Sequence, residues 1–278
     1  TDNTEGDNNT AVGYLSLGDN TTADNNTAVG HNSLSVNTAD NNVAVGFDVL
    51  KANTTGTDNT AVGYASLDAN TTGSDNTAIG DNALGANTTA SDNTAVGSSA
   101  LLLNTTGANN IAVGSNALDA NTTGGSNIAI GLDALGANTT ADSNVAIGRG
   151  ALYVNTTGAD NIAIGRNALV ANTTASNNTA VGRSALGANT TGAENTAVGK
   201  SAADAVTTGT RTVAVGYNAG GGITTGDSNV AIGYQALMTE DAHSNTPEIT
   251  GVWNVLVVDD DEEIHSVTRL ALSDLVVT

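Results

Sequence analysis

The sequence predicts an all-β chain, a parallel β-solenoid of about fourteen coils, and three observations predict it. The first is period. A glycine closing an Ala-Val or Ala-Ile step recurs at 13, 30, 46, 63, 80, 97, 114, 131, 148, 165, 182, 199, 216 and 233. Every interval is 17 residues except the 16 between Gly30 and Gly46, and a short fixed period marks a repeat architecture. The second is the make-up of one unit, Asn76 to Asp92. Its apolar runs are only two or three residues long and lie between Gly, Asn, Asp and Thr, a pattern of short strands and turns. Helical repeats run longer, over roughly 30 residues. The third is composition. With 3% aromatic residues, 33 Gly, one Pro and no Cys, a conventional core is out of reach. A solenoid manages, because each coil needs only small side chains against its neighbours. Coils at the parallel-strand spacing of about 4.8 Å make a rod on the order of 65 Å long.

Each column of the stack then has an expected task. The residue before Val/Ile is Ala in every unit (Ala11, Ala28, Ala44, Ala61 and onward to Ala231). Side chains alternate across a strand, so Ala faces away from the Thr/Val/Ile and Val/Ile on either side of it. One of these apolar faces fills the coil. The other is expected to lie against a partner, because contiguous apolar strips mark interfaces; a further copy of the rod is the simplest partner. A Leu column (Leu17, Leu34, Leu50, onward to Leu186, and Leu237) adds the largest regular apolar mass. Two columns are nearly pure Asn, one from Asn20 to Asn189 and one from Asn26 to Asn195 with Asn229 beyond. Asn suits left-handed corners, and stacked amides can hydrogen-bond along the rod. Asn-x-Thr triplets such as Asn53-Thr54-Thr55 are generated by the repeat and carry no weight as glycosylation signals.

The column after the glycine is the one that varies in blocks. It reads Tyr14, His31, Phe47, Tyr64, then Asp81, Ser98, Ser115, Leu132, then Arg149, Arg166, Arg183, Lys200, and finally Tyr217 and Tyr234. The four cations in register form a candidate binding stripe for an acidic glycan or partner, with a plain solvated face as the bland alternative. Paired threonines (Thr54/Thr55, Thr71/Thr72, Thr88/Thr89) suggest an ice-binding array. Adjacent strand residues point to opposite faces, however, which argues against a flat double row. From 203 to 223 the pattern degrades: Ala203 and Gly220 replace Leu, and Val206 and Ile223 replace Asn. Atypical coils are expected where a solenoid ends.

Net charge is −21; nineteen acids and six bases precede residue 238, giving −13, and nine acids and one base follow, giving −8. Nucleic acid is not an expected partner of such a surface. The acids fall at turns (Asp58, Asp75, Asp92, Asp160, Glu194), where Asp is favoured by local hydrogen bonding. The glycine-rich nonapeptide of calcium-binding β-rolls is missing, so calcium is not expected there. No stretch of about 18 apolar residues offers a membrane span. No nucleophile–base pair recurs and the three His are scattered, so no enzymatic activity is expected. The chain opens in mid-repeat at Asn3 to Thr10, which reads as a fragment.

The units resemble the head repeats of trimeric autotransporter adhesins, which carry the same Ala-Val/Ile-Gly-x-x-Ala motif. They resemble still more the Asn-Thr-Ala-Ile-Gly-Tyr-Gln-Ala-Leu repeats of phage tail-fibre-like and other surface proteins, nearly spelled by Asn229 to Leu237. Over residues 3–237 the resemblance implies a left-handed β-roll, usually trimeric, serving as an extended adhesive or spacer element at the cell surface. It implies a homotrimer and a host-surface or glycan ligand.

Three segments follow from this: a repeat domain over 1–237, an acidic linker over 238–252 holding the only Pro, and a β-α segment over 253–278. In the last, Val255 to Val258 read as a buried parallel strand ending in Asp259, Asp260 and Asp261, with a helical pattern after it. This resembles the opening of a response-regulator receiver domain, in which carboxylates at the first strand's end hold Mg²⁺; here those are Asp259 and Asp260. The sequence ends before any phosphoacceptor, so Mg²⁺ is expected only if the receiver is complete. Two function classes stand at this point. One is a non-catalytic adhesive rod of an extracellular or cell-surface protein. The other is a cytoplasmic response regulator with a repeat scaffold in front, a boundary that Met238 would mark.

Overall fold

A computed structural model describes residues 3–237; the linker, the receiver-like segment and its Asp259 and Asp260 lie outside the described residues. The chain forms one parallel sheet of fourteen strands in sequence order, from β1 (Thr10–Val12) to β14 (Val230–Ile232). Each strand pairs with its counterpart one unit on, as in Ala95 with Ala112 and Ala112 with Ala129. The short unit is absorbed between β2 (Thr27–Val29) and β3 (Val43–Phe47), where Ala28 pairs with Ala44. Twelve of the fourteen strands are three residues long; β3 and β4 (Thr60–Tyr64) run to five.

The thin apolar face is the one that points in. Every Ala of the central strand position from Ala28 to Ala231 is fully buried. It packs with the Leu column, also fully buried from Leu34 to Leu186, and with a second Ala column from Ala83 to Ala236. Thr/Val/Ile and Val/Ile on either side of the central Ala point outward, half-buried or exposed. The small central Ala leaves most of the coil interior to the Leu column.

Both Asn columns are interior and form ladders. In the first, Asn121 Nδ2 donates to Asn104 Oδ1 at 2.9 Å and to the Gly124 carbonyl at 2.9 Å, and Asn138 Nδ2 donates back to Asn121 Oδ1 at 2.9 Å. In the second, the Asn127 backbone N–H donates to Asn110 Oδ1 at 2.9 Å, and Asn127 Nδ2 donates to the Ala141 carbonyl at 2.8 Å. Asn138 Nδ2 reaches that same carbonyl at 3.1 Å, so the two ladders clamp one corner between them. Buried amides survive because almost every donor and acceptor is met.

The ladder asparagines do not themselves take the left-handed conformation expected of them. That conformation falls on three other positions of each unit. One is the residue before the second ladder, such as Asp92 (φ 61°); one follows the glycine by two, such as Asn116 (φ 53°); the third is Leu118 (φ 55°) and its column. Asn, Asp and Ser at the first two adopt it readily. Leu does so at a cost of about 1 kcal/mol or more per residue, offset by complete burial and by a Leu118 N–H bond to the Ala134 carbonyl at 3.0 Å. The glycine has its own reason: at Gly114 (φ 136°) an added Cβ would lie 2.6 Å from the Gly131 carbonyl oxygen of the next coil.

Where the units depart from the pattern, the ladders break. Asn189 Oδ1 is buried without a partner because Val206 stands on the next rung, and Thr212 Oγ1 is unpartnered where Thr replaces Asn in the second ladder. Asn20 Oδ1 is also unpartnered. The short unit has lost one Thr after Asn37, so Asn37 Nδ2 turns to Ala39 two residues on, at 2.6 Å, and leaves Asn20 unmet. Residues 203 to 223 stay packed despite their degraded pattern. Ala203, Val206 and Gly220 are buried and Ile223 nearly so, and a Cβ on Gly220 would lie 3.2 Å from Ile223 Cδ1. Apolar volume lost from the Leu column reappears in the Asn column, so the core stays filled.

The threonine pairs also differ from expectation. They lie in a bend outside the strands and both side chains face outward, as at Thr54 and Thr55. The geometric objection to a double row therefore fails. What counts against the array is chemistry: from Thr54 to Thr207 the first hydroxyl of each pair is spent on the rod, Thr54 Oγ1 donating to the Thr71 carbonyl at 2.9 Å and Thr122 Oγ1 to the Thr139 carbonyl at 3.0 Å.

Candidate functional site

The column after the glycine stands at the end of the strand on an exposed ridge. At the first four coils its rings stack: Tyr14 on His31, His31 on Phe47 and Phe47 on Tyr64, with centroids 5.4, 5.0 and 5.4 Å apart. The coil rise sets this spacing, which falls within the stacking range of aromatic pairs. Beside the stack, His31 Nδ1 lies 3.7 Å from Asp48 Oδ1 and Lys51 Nζ lies 3.1 Å from Asp48 Oδ2. Partial burial pushes the Asp48 carboxyl up, but the Asn32 amide and Lys51 outweigh it and hold the group below the ordinary Asp value. The faces of His31 and Phe47 are taken up by their neighbours, so only ring edges and the outer faces of Tyr14 and Tyr64 remain for a ligand.

Arg149, Arg166, Arg183 and Lys200 stand on the same ridge four coils in a row, all exposed. Among the described residues none of the four is in an ion pair, whereas Lys51 is paired with Asp48 and Arg211 Nε donates to Ser228 Oγ at 3.2 Å. Leu132 bounds the ladder on one side. On the other, Lys200 Nζ sits 5.2 Å from the centre of the Tyr217 ring, which stacks on Tyr234. Residues 143–203 hold four bases and two acids, against two bases and seventeen acids in the rest of 1–237. The stripe is a local reversal of sign on an acidic rod.

Next to it is a shallow open notch of about 190 Å³, lined by Asp133, Arg149, Gly150, Tyr153, Asn167 and Val170. Composition of the columns gave no warning of this site, but position by position a signal exists. Gly150 is the only glycine in a column otherwise mostly of Asn, Asp and Ser, with Leu15, Ala65 and Gln235, and Tyr153 is the only aromatic in its own column. The bare Gly150 opens the notch and half-exposed Tyr153 walls it. Asp133 Oδ1 accepts from Asn116 Nδ2 at 3.2 Å, drawing it toward the preceding coil.

Three carboxylates in the column of Tyr153 are shifted the other way from Asp48. Burial pushes Asp68, Asp119 and Asp204 above the ordinary Asp value, with backbone or Ser201 hydrogen bonds only partly opposing it. A raised folded pKa contributes stability that is present in acid and lost as pH rises through it. Asp48 has the opposite sign and loses its contribution only below about pH 4. The melting temperature is therefore expected to rise as pH falls from 7 toward the ordinary Asp value near 4, helped by the shrinking negative charge. An Asp68→Asn/Asp119→Asn/Asp204→Asn variant should flatten that rise. Melts followed by circular dichroism at the two pH values decide it; a parent that melts lower in acid refutes the assignment.

Among the described residues no helix is long and apolar enough to cross a membrane, and no group of three or more His, Cys, Asp or Glu is placed to share a metal ion. In comparisons with protein-family models, curated proteins and solved structures, none matches this chain.

Proposed function

We propose that this chain is a non-catalytic structural and adhesive rod of a cell-surface adhesin or fibre, working outside the cell as a homotrimer. One observation carries the reading: the outward face of the sheet. Two aliphatic or Thr columns run beside each other over fourteen coils, with residues such as Ile79, Ile111, Ile130, Ile162 and Ile164 each more than a third exposed. At strand spacing this strip is about 60 Å by 7 Å, on the order of 400 Å², as large as the largest apolar patches monomeric proteins leave bare. Ordinary solvated strands carry polar residues there instead. A rod that buries this strip against its own copies becomes a stiff fibre and leaves the ridge after the glycine free to meet a ligand.

The test is self-association. Light scattering on the full chain is expected to give three times the chain mass at micromolar concentration. Ile130→Lys/Ile147→Lys, which places two cations on the strip and leaves the interior untouched, should yield a folded monomer. A parent that stays monomeric over that range removes the proposal.

A further inference from the structure

We infer that the ladder Arg149, Arg166, Arg183 and Lys200, with the notch at Gly150 and Tyr153, is a binding site for a linear anionic polysaccharide lying along the rod axis. This deepens the adhesive reading and rests on it for the rod's meeting a glycan, whereas the in-register stacking of the coils is that of the fold. The first argument is spare charge. These four are the cations of the described rod that neither a carboxylate nor a hydroxyl holds, and a rod otherwise strongly acidic steers an anion to the one place of opposite sign. Arg presents a fork suited to sulfate and carboxylate. In-register coils repeat that fork about every 4.8 Å, so the row suits a polymer with charges strung along it better than a compact anion.

The second argument is the notch, which selects a sugar over any other polyanion. Tyr153 offers an aromatic wall, and its ring packs over Gly136, whose added Cβ would lie 3.3 Å from Tyr153 Cε2. Asn167 and Asp133 line the same space. A carboxylate accepts hydroxyl donors, which sugars have in plenty and which polyphosphate and a DNA backbone lack. The stacked rings a single-stranded nucleic acid would use, Tyr14 to Tyr64 and the pair Tyr217 and Tyr234 beyond Lys200, lie on other coils and are already stacked on one another.

Binding of a heparin oligosaccharide to the full chain, measured calorimetrically, tests this. Uncharged dextran serves as the neutral control, and polyphosphate and single-stranded oligo(dT) as polyanions without the sugar pattern. Heparin should bind, with log K falling against log salt at a slope on the order of −3, as four released counterions predict. Arg149→Ser/Arg166→Ser/Arg183→Ser/Lys200→Ser should lose at least tenfold in affinity while melting like the parent, since Ser98 and Ser115 already occupy this column. Gly150→Asn closes the notch with the residue that Asn116 and Asn167 supply at matching φ (53° and 58°, against 65° at Gly150). It should weaken heparin several-fold and leave polyphosphate unchanged. Absence of heparin binding, equal binding of oligo(dT), or a quadruple variant that loses only self-association overturns the site. The trimer mass is read separately by light scattering, so failure of the ligand and failure of the rod's assembly are told apart.

Discussion

Ala112→Asp is expected to lower the melting temperature by on the order of ten degrees or more and to break the rod near its middle, at the seventh of fourteen strands. Ala112 is fully buried in the column Ala95–Ala112–Ala129, flanked by the buried Leu101 and Leu118. A carboxylate there meets no donor, and an unpaired buried charge costs several kcal/mol. For a chain of this size each kcal/mol moves the midpoint by roughly 2–4 °C. Coils contact only their neighbours, so the damage is local but cuts the stack in two. The informative control is Val113→Asp, one residue on, whose side chain points outward. It should preserve the circular dichroism spectrum and instead weaken self-association. If Ala112→Asp melts like the parent, or if the two substitutions behave alike, the inward and outward faces have been assigned wrongly.

That inward-outward assignment shows how far the sequence could be read. The 17-residue period and the strict Ala, Leu and Asn columns follow from stacking identical coils, so coil number, strand position and register were all legible. Which apolar face points in was not, because alternation says only that Ala and Val/Ile face apart; the size of the coil interior decides it. The Leu corners at positive φ, such as Leu118 (φ 55°), were illegible for a different reason. No propensity favours Leu there, and only the burial of the whole column outweighs the backbone cost. The cation stripe was visible as a block of one column. The notch beside it is legible in no single column, because it takes Gly150 from one and Tyr153 from another, two single departures that become a site only when the coil brings them together.

The coils near the C-terminal end of the described rod supply the other large expected effect, a coupling between two columns. Ala203 stands where other coils have Leu, and Val206 where they have Asn; both are fully buried, and the Val206 N–H donates to the Ala203 carbonyl at 3.2 Å. Ala203→Leu alone should overpack against Val206 at a cost of about 1–3 kcal/mol. Val206→Asn alone gives Asn189 Oδ1 the donor it lacks, but it leaves a void beside Ala203. Its own Oδ1 then faces Ile223 on the next rung with no donor, for about 2–4 kcal/mol in all. Made together, the two changes restore the common unit, Leu filling the void and Asn extending the ladder by one rung. The double variant should therefore be more stable than the sum of the singles by on the order of 1–3 kcal/mol. Denaturant unfolding of the four proteins closes the cycle. Additivity to within about 0.5 kcal/mol would mean that the two columns do not share one packed space. The paired exchange of Leu for Ala with Asn for Val, and of Leu for Gly with Asn for Ile one coil later, would then have no packing cause.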